Sequence, residues 1–492
     1  MDKMQISQAT EDVWRHHCDK LKEALDESLR QLQNLIRLDE HRRHGHEKEA
    51  LQETLGPLGS NSLDLGALSK VLGSSGENRA LSDEHLQRIQ GLIDRTTELM
   101  AGCPDAPATD SQAGIEEDEE IIHAKAEAHL NRIAEIFRTI RMAQMEVHSK
   151  YHPATHDPVF DNFNWRNLSP AELSLCPPFM IIANLDEERG EKLRKIMSLL
   201  ESRKPIKIAA MRSSLKKDYS PTADPSVPAT MAVETLPLAM RGVYFLQSSI
   251  ATPLFRKQLF TAMCSPRPTL ISLLESREGE DENDFKRRAD KALRAHAFPA
   301  VLYDPDRARG FVSCFDISAN PMQEESADVM TFAHFAAGEK EFASEFTEPT
   351  ADFSPDDLVP LTEFLELARH QRVGKHPCVN LKRRDGQVRP KIVSPAIVTQ
   401  TSDYLHLWKT LQEIAGEDNP YVKSTEANLA AEFSEQQKAL EESLQKELER
   451  QLTQREKIAV ASAIQRMVAH LTGVPASDID VSNFLASIKD EE

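Results

Sequence analysis

Five short apolar runs between residues 179 and 303 decide the fold. They are FMIIA (179–183), IKIAAM (206–211), GVYFLQ (242–247), TLISLL (269–274) and PAVLY (299–303). Charged stretches long enough for a helix, such as EERGEKLRKIMSLLES and ENDFKRRADKALRAH, separate several of these runs. Strands that alternate with helices predict an α/β fold with a mostly parallel sheet. The runs are apolar throughout, as expected where helices bury both faces of the sheet.

The residues before this region are predicted to be mainly helical. Residues 1–100 carry apolar side chains at three-, four- and seven-residue spacings, which is the pattern of a helical N-terminal region. Residues 101–118, AGCPDAPATDSQAGIEED, are rich in Pro, Ala, Asp and Gly and are typical of a flexible linker. A helix and a loop are predicted over 119–175, and the α/β domain over 176–345.

Two further segments follow the α/β domain. In the extension at 346–420, VNLKRR and QVRPKIVS flank Asp385-Gly386, a pair that suits the tight turn of a β-hairpin. Residues 421–492 are predicted to form a long charged helix and a tail. Its apolar stripe over 425–472 indicates a helix of roughly 70 Å. Pairing with a second copy in a homo-oligomer and packing against the N-terminal helices of the same chain are both open interpretations.

Composition excludes several classes of function. The chain has 492 residues and a formal net charge of -20, which disfavours nucleic acid and anionic membranes as partners. We expect no membrane span and no signal peptide, because no long apolar run is present. The six cysteines are far apart and form no CxxC pair. This pattern favours a reducing, cytoplasmic location and disfavours an iron–sulfur cluster within this chain.

The order of motifs in residues 176–345 resembles the thiamine-diphosphate domain of 2-oxoacid:ferredoxin oxidoreductases. FMIIANLD stands where that family has a strand and a GDG turn, and RGVYFLQSS and RPTLISLLES are similar to its later strands. AHAFPAVLYDPDRARGF looks like the segment that follows the last helix of the family's domain. The resemblance implies a parallel sheet of the thiamine-diphosphate type. In the family, this domain holds thiamine diphosphate through a magnesium ion.

The chain departs from the family at the cofactor motif. Asn184, Leu185 and Asp186 align with the GDG turn, so that a leucine takes the place of the aspartate that binds magnesium. The family's second ligand loop falls near Asp218, and a one-residue slip would pair Asp186 with Asp218. We therefore name Asn184, Asp186 and Asp218 as the residues of a degenerate cofactor site, and predict no catalytic residue. A surface loop and an anion site are both open for Arg212 and the two lysines that follow it at 216 and 217.

Three alternative functions are open, of which the first two follow from the resemblance and the third from the long charged helix. The first is a non-catalytic structural subunit, a pseudoenzyme, in a redox complex whose partner chains carry iron–sulfur clusters or flavin. No cofactor is then expected in this chain. The second is an active thiamine-diphosphate-dependent oxidoreductase subunit that binds the cofactor with magnesium. The third is a self-associating coiled-coil scaffold without a redox role.

Overall fold

The structure is a computed structural model. It describes residues 2–60, 64–74, 81–103, 107, 111–186, 189–216, 233–321, 330–349, 357–382, 388–417, 420–473 and 475–478. The chain divides into two compact units, 1–415 and 416–492, and each is described by itself.

The first unit contains fourteen α-helices within the described residues. They are α1 Asp2–His44, α2 Lys48–Ser60, α3 Leu65–Ser74, α4 Asp83–Ala101, α5 Glu119–Val147, α6 Pro153–Asp161, α7 Pro170–Leu173, α8 Arg189–Glu201, α9 Leu236–Ala239, α10 Phe255–Met263, α11 Glu282–Arg294, α12 Phe332–Ala336, α13 Leu361–Glu366 and α14 Pro395–Ala415. Its β-strands are β1 Gln112–Gly114, β2 Met180–Asn184, β3 Lys207–Arg212, β4 Tyr244–Ser248, β5 Thr269–Leu274, β6 Val301–Tyr303, β7 Phe315–Asp316, β8 Phe346–Thr347, β9 Leu358–Pro360, β10 His376–Lys382 and β11 Val388–Val393.

The N-terminal helices pack as the sequence predicts. Leu21, Leu25 and Leu32 follow one another at four- and seven-residue spacings on α1, and all three are buried. They pack in clusters that include side chains of α4 and α5. The side chain of Ser82 caps α4 by accepting a hydrogen bond from the amide of His85 at 3.3 Å.

The predicted linker at 101–118 contains a strand. β1 pairs in parallel with β2, and Ala113 lies opposite Ile181. The side chain of Ala113 is buried in the main core. β1 has only three residues, one of them a glycine, so it shows no strand periodicity in the sequence. Its partner β2 is also far away in the sequence. Composition alone therefore predicts a linker here.

A seven-stranded sheet forms the centre of the first unit, in the order β1-β2-β3-β5-β4-β6-β7. The first five strands of that order run parallel, whereas β6 and β7 are antiparallel to their neighbours. The prediction of an α/β fold with a mostly parallel sheet is confirmed. α11, which precedes β6, packs in a cluster with α12, α14 and Leu274 at the end of β5.

Helices bury both faces of this sheet. Ile208 and Ala210 of β3 lie in a core that includes side chains of α5 and α8. Ala209 and Met211, which alternate with them, lie in a core with α10 and with Val13 of α1. A strand buried on both faces needs apolar residues at successive positions, which explains the run IKIAAM.

A second sheet has four strands in the order β8-β11-β10-β9. β10 and β11 pair antiparallel, so that the predicted hairpin is present. Its predicted turn at Asp385-Gly386 lies outside the described residues.

The second unit contains the long helix, α15 Pro420–Thr472, which the sequence predicts over 425–472. Its 53 residues correspond to roughly 80 Å at 1.5 Å per residue. Seven large apolar side chains, here named the α15 stripe, are 51–74% exposed. They are Leu429, Phe433, Leu440, Leu444, Leu448, Leu452 and Ile458. Among the helices of the described residues, none has the length and apolar character needed to cross a membrane.

Candidate functional site

Asn184 and Asp186, two of the three residues predicted to form a cofactor site, lie at the carboxyl end of β2. β2 ends at Asn184, β3 at Arg212 and β5 at Leu274. Ligands of open α/β sheets bind beyond these strand ends, at the edge here named the carboxyl edge. The carboxyl edge is therefore the candidate functional site.

Leu185 is a core residue. Its side chain is 3% exposed and packs in the core on the α8 face of the sheet. Its amide donates a hydrogen bond to the carbonyl of Met211 at 2.8 Å, which prolongs the pairing of β2 with β3. Leucine offers no oxygen ligand to a hard cation such as magnesium, and here its side chain serves packing.

Asp186 holds the loop that follows β3. Its carboxylate accepts hydrogen bonds from the Ser213 amide at 2.9 Å, the Ser213 hydroxyl at 2.7 Å and the Ser214 amide at 3.1 Å. The amide of Asp186 in turn donates to Oδ1 of Asn184 at 2.8 Å. Asn184 and Asp186 are thus in contact, and the Asp186 carboxylate binds the backbone amides of the loop after β3. Asp218 lies outside the described residues, so its pairing with Asp186 stays a prediction.

Arg288 of α11 joins the ends of β3 and β5. Its side chain is 3% exposed, and its guanidinium donates to the carbonyls of Ser213 at 3.1 Å and Glu275 at 2.7 Å. It also forms two hydrogen bonds with the carboxylate of Glu280, at 2.9 and 2.8 Å. Burial alone would raise the pKa of Glu280, but hydrogen bonds from Arg288 and the Arg277 amide bring it below its ordinary value.

A second ion-pair group lies beside the first. Arg277 pairs with Glu339 and, at 2.6 Å, with Glu341. Glu341 also accepts a hydrogen bond from the hydroxyl of Ser214 at 2.6 Å. The segment after α12 is thereby fastened to the loop that follows β3. The chain's own charged side chains therefore bind the backbone groups at this edge.

Arg212 is buried. From the sequence, two interpretations were open for this residue, a surface loop and an anion site. Its side chain is 4% exposed and donates to Oε1 of Gln247 at 3.1 Å. Its guanidinium also lies over the ring of Phe298, 4.9 Å from the centroid. Lys216 is exposed, and residue 217 lies outside the described residues. Arg212 thus contributes to the packing beneath the carboxyl edge.

An open cavity of about 830 Å³ lies at the opposite end of the sheet, near the starts of β3, β4 and β5. Arg203, Arg241 and Arg267 line it together with apolar side chains. Arg267 is paired with Asp306, and Arg241 lies over Phe311 at 4.8 Å. No sequence motif marks this cavity, because its residues come from loops that are far apart in the sequence.

Next to that cavity lies a buried lysine, which the sequence analysis did not single out. Lys207 donates to the carbonyl of Arg267 at 2.9 Å and to the hydroxyl of Thr269 at 3.0 Å. Burial lowers the pKa of Lys207 to about 7. Nearby, the imidazole of His17 lies 3.2 Å from Sγ of Cys264, and burial raises the pKa of that thiol to about 11. A neutral thiol and a neutral imidazole are not the ion pair of an activated nucleophile.

Within the described residues, no group of three or more His, Cys, Asp or Glu side chains is arranged to hold a metal ion. A search of protein-family models and of curated proteins gives no match to this chain.

Proposed function

We propose that this chain is a non-catalytic structural subunit. The observation that carries the proposal is the carboxyl edge, where Arg288 binds the strand-end carbonyls and Asp186 binds the loop after β3. A bound diphosphate would have to displace these contacts, and Leu185 supplies no ligand for its magnesium ion. The α/β scaffold then serves as a folded support, since a fold does not fix a function.

The resemblance to the thiamine-diphosphate domain supplies the context of this proposal. The subunit would belong to a redox complex related to 2-oxoacid:ferredoxin oxidoreductases, in which partner subunits carry iron–sulfur clusters or flavin. The test is purification of the tagged full chain from its own cells, with iron and flavin measured in the eluate. Stoichiometric iron or flavin on co-purifying subunits supports this context. A chain that elutes without either contradicts it.

Thiamine diphosphate is expected not to bind. Titration of the full chain with thiamine diphosphate and magnesium chloride in a calorimeter should give only the heat of dilution, because the carboxylate of Asp186 is already bonded to Ser213 and Ser214, and Leu185 supplies no oxygen ligand. Magnesium chloride alone is the control. Saturable binding at micromolar concentration would overturn the non-catalytic proposal and favour an active thiamine-diphosphate-dependent subunit.

The α15 stripe favours a second candidate function, a self-associating scaffold without a redox role. Large apolar side chains exposed along one face of a helix are typical of an interaction site. We commit to a second copy of the chain as the partner, because the stripe is flanked by both acidic and basic side chains, which can pair between identical helices.

The stripe is expected to determine the mass of the protein in solution. Leu440, Leu444 and Leu448 replaced together by glutamine should reduce the mass measured by light scattering from a multiple of 55.3 kDa to 55.3 kDa. Each buried leucine is worth about 1.5–3 kcal/mol in the assembled state, and glutamine keeps a good helix propensity.

The matched control replaces Glu442, Lys446 and Arg450 by glutamine. These residues lie about 200° around the helix from the three leucines, so the control protein should keep the mass of the unmodified chain. An unmodified chain that is monomeric at all concentrations, or a control that loses mass as the leucine variant does, would contradict self-association through the stripe.

A further inference from the structure

Two cysteines that are distant in the sequence meet in the structure. Cys18 lies on α1 and Cys103 follows the end of α4. Their side chains are 1% and 9% exposed, and together with Trp14 they form a small buried cluster. The two thiols are joined by a hydrogen bond, and both are in the reduced form. They are therefore placed close enough to react with each other after a small adjustment of either side chain.

A cavity gives small molecules a route to this pair. It has a volume of about 210 Å³, and both cysteines line it. The other lining residues are largely apolar, with Arg95 and Glu98 among the charged ones. Hydrogen peroxide is similar in size to water, and a cavity of this volume exceeds the roughly 30 Å³ that one water molecule occupies in the liquid.

We propose that Cys18 and Cys103 form a reversible dithiol–disulfide site that reacts with small hydroperoxides and, when oxidised, links α1 to the end of α4. One thiol sulfur attacks the peroxide O–O bond, forms a sulfenic acid and releases water. The second thiol then displaces hydroxide from the sulfenic sulfur, so that the S–S bond forms and a second water molecule leaves. The two sulfurs together lose two electrons, and the peroxide is reduced.

The environment of the pair determines how fast this reaction is. The hydrogen bond with Cys103, together with burial, raises the pKa of Cys18 well above that of an ordinary thiol. Since the thiolate is the nucleophile, oxidation by peroxide is slow at pH 7 and accelerates as the pH rises. The site therefore responds to sustained exposure to an oxidant.

Peptide mapping of the full chain tests the proposal directly. The protein is treated with hydrogen peroxide at pH 8.5, unfolded, alkylated and digested with trypsin. We expect a cross-linked pair of peptides, His16–Lys20 with Thr96–Lys125, which disappears on treatment with dithiothreitol. The intact mass before alkylation should fall by about 2 Da, and the number of alkylated cysteines should fall from six to four.

The other four cysteines are internal controls, since the proposal predicts that they remain alkylated. The variants Cys18→Ser and Cys103→Ser should each abolish the cross-link and keep five alkylated thiols. The mapping of the unmodified chain decides the question even if a variant does not fold. Six alkylated thiols after oxidation, over-oxidation of Cys18 without a cross-link, or a disulfide between two chains would each overturn the proposal.

Discussion

Arg288→Met is expected to lower the free energy of unfolding by about 3–5 kcal/mol, the cost of leaving one member of a buried ion pair without its partner. Methionine keeps much of the length of the side chain but donates no hydrogen bond. The carboxylate of Glu280 would lose its two hydrogen bonds from Arg288, and the carbonyls of Ser213 and Glu275 would each lose a donor. Urea unfolding followed by tryptophan fluorescence measures the effect, since Trp14, Trp165 and Trp408 all lie in the first unit.

The chain offers a matched control for this substitution in the neighbouring residue. Arg287 lies on the same helix but is 73% exposed, and it pairs with Asp284 three residues earlier. Arg287→Met should therefore change the free energy of unfolding by less than about 0.5 kcal/mol. Adding Glu280→Gln to Arg288→Met should restore part of the loss, because the buried charge is then removed as well. Equal effects of Arg287→Met and Arg288→Met would show that the network does not stabilise the carboxyl edge.

Acid should destabilise the protein over a pH range that is determined by the pKa values of two buried histidines. Burial lowers the pKa of His296 to about 4, against 6.5 for an ordinary histidine, and its ring stacks on Trp408 at 3.8 Å. Burial likewise lowers the pKa of His17 to about 4, although its hydrogen bond with the Cys176 carbonyl opposes this shift. As the pH falls through 6.5, the unfolded chain binds protons that the folded chain does not. Each imidazole then costs about 3 kcal/mol of stability by pH 4.

The carboxylates change the free energy of unfolding in a lower pH range than the histidines. Glu280, whose pKa is lowered in the folded chain, contributes its full stability above pH 4.5 and loses it only below that pH. The loss between pH 6.5 and 4.5 therefore reports on the imidazoles. His296→Phe keeps a ring against Trp408 but does not titrate, so urea unfolding between pH 4.5 and 7.5 should show a shallower pH dependence. The exposed His370 replaced by Phe is the control, and a His296→Phe profile parallel to that of the unmodified chain would contradict the assignment.

Much of the fold could be predicted from the sequence, because local patterns carry it. The run TLISLL coincides with β5, and the helical spacing in residues 1–100 corresponds to α1 to α4. The direction of β6 could not be predicted, because an apolar run has the same pattern in either strand direction. The pairing of β1 was missed for a similar reason, because its partner β2 lies beyond α5.

The candidate site was predictable only where a single residue decides the chemistry. Leu185 could be identified as incompatible with magnesium from its side chain alone, and the structure adds that it is buried. The role of Arg288 could not be predicted, because an arginine on a charged helix reads as a surface residue until the helix is placed against the strand ends. The meeting of Cys18 with Cys103 likewise depends on the packing of α1 against α4.

The short outer strands of both sheets restrict how copies of this protein can associate. The seven-stranded sheet is bounded by β1, with three residues, and β7, with two. The four-stranded sheet is bounded by β8, with two residues, and β9, with three. Such short borders offer too few main-chain partners to template an added strand, which is one way proteins avoid fibrous aggregation. Association of copies by strand addition is therefore disfavoured at these four described edges.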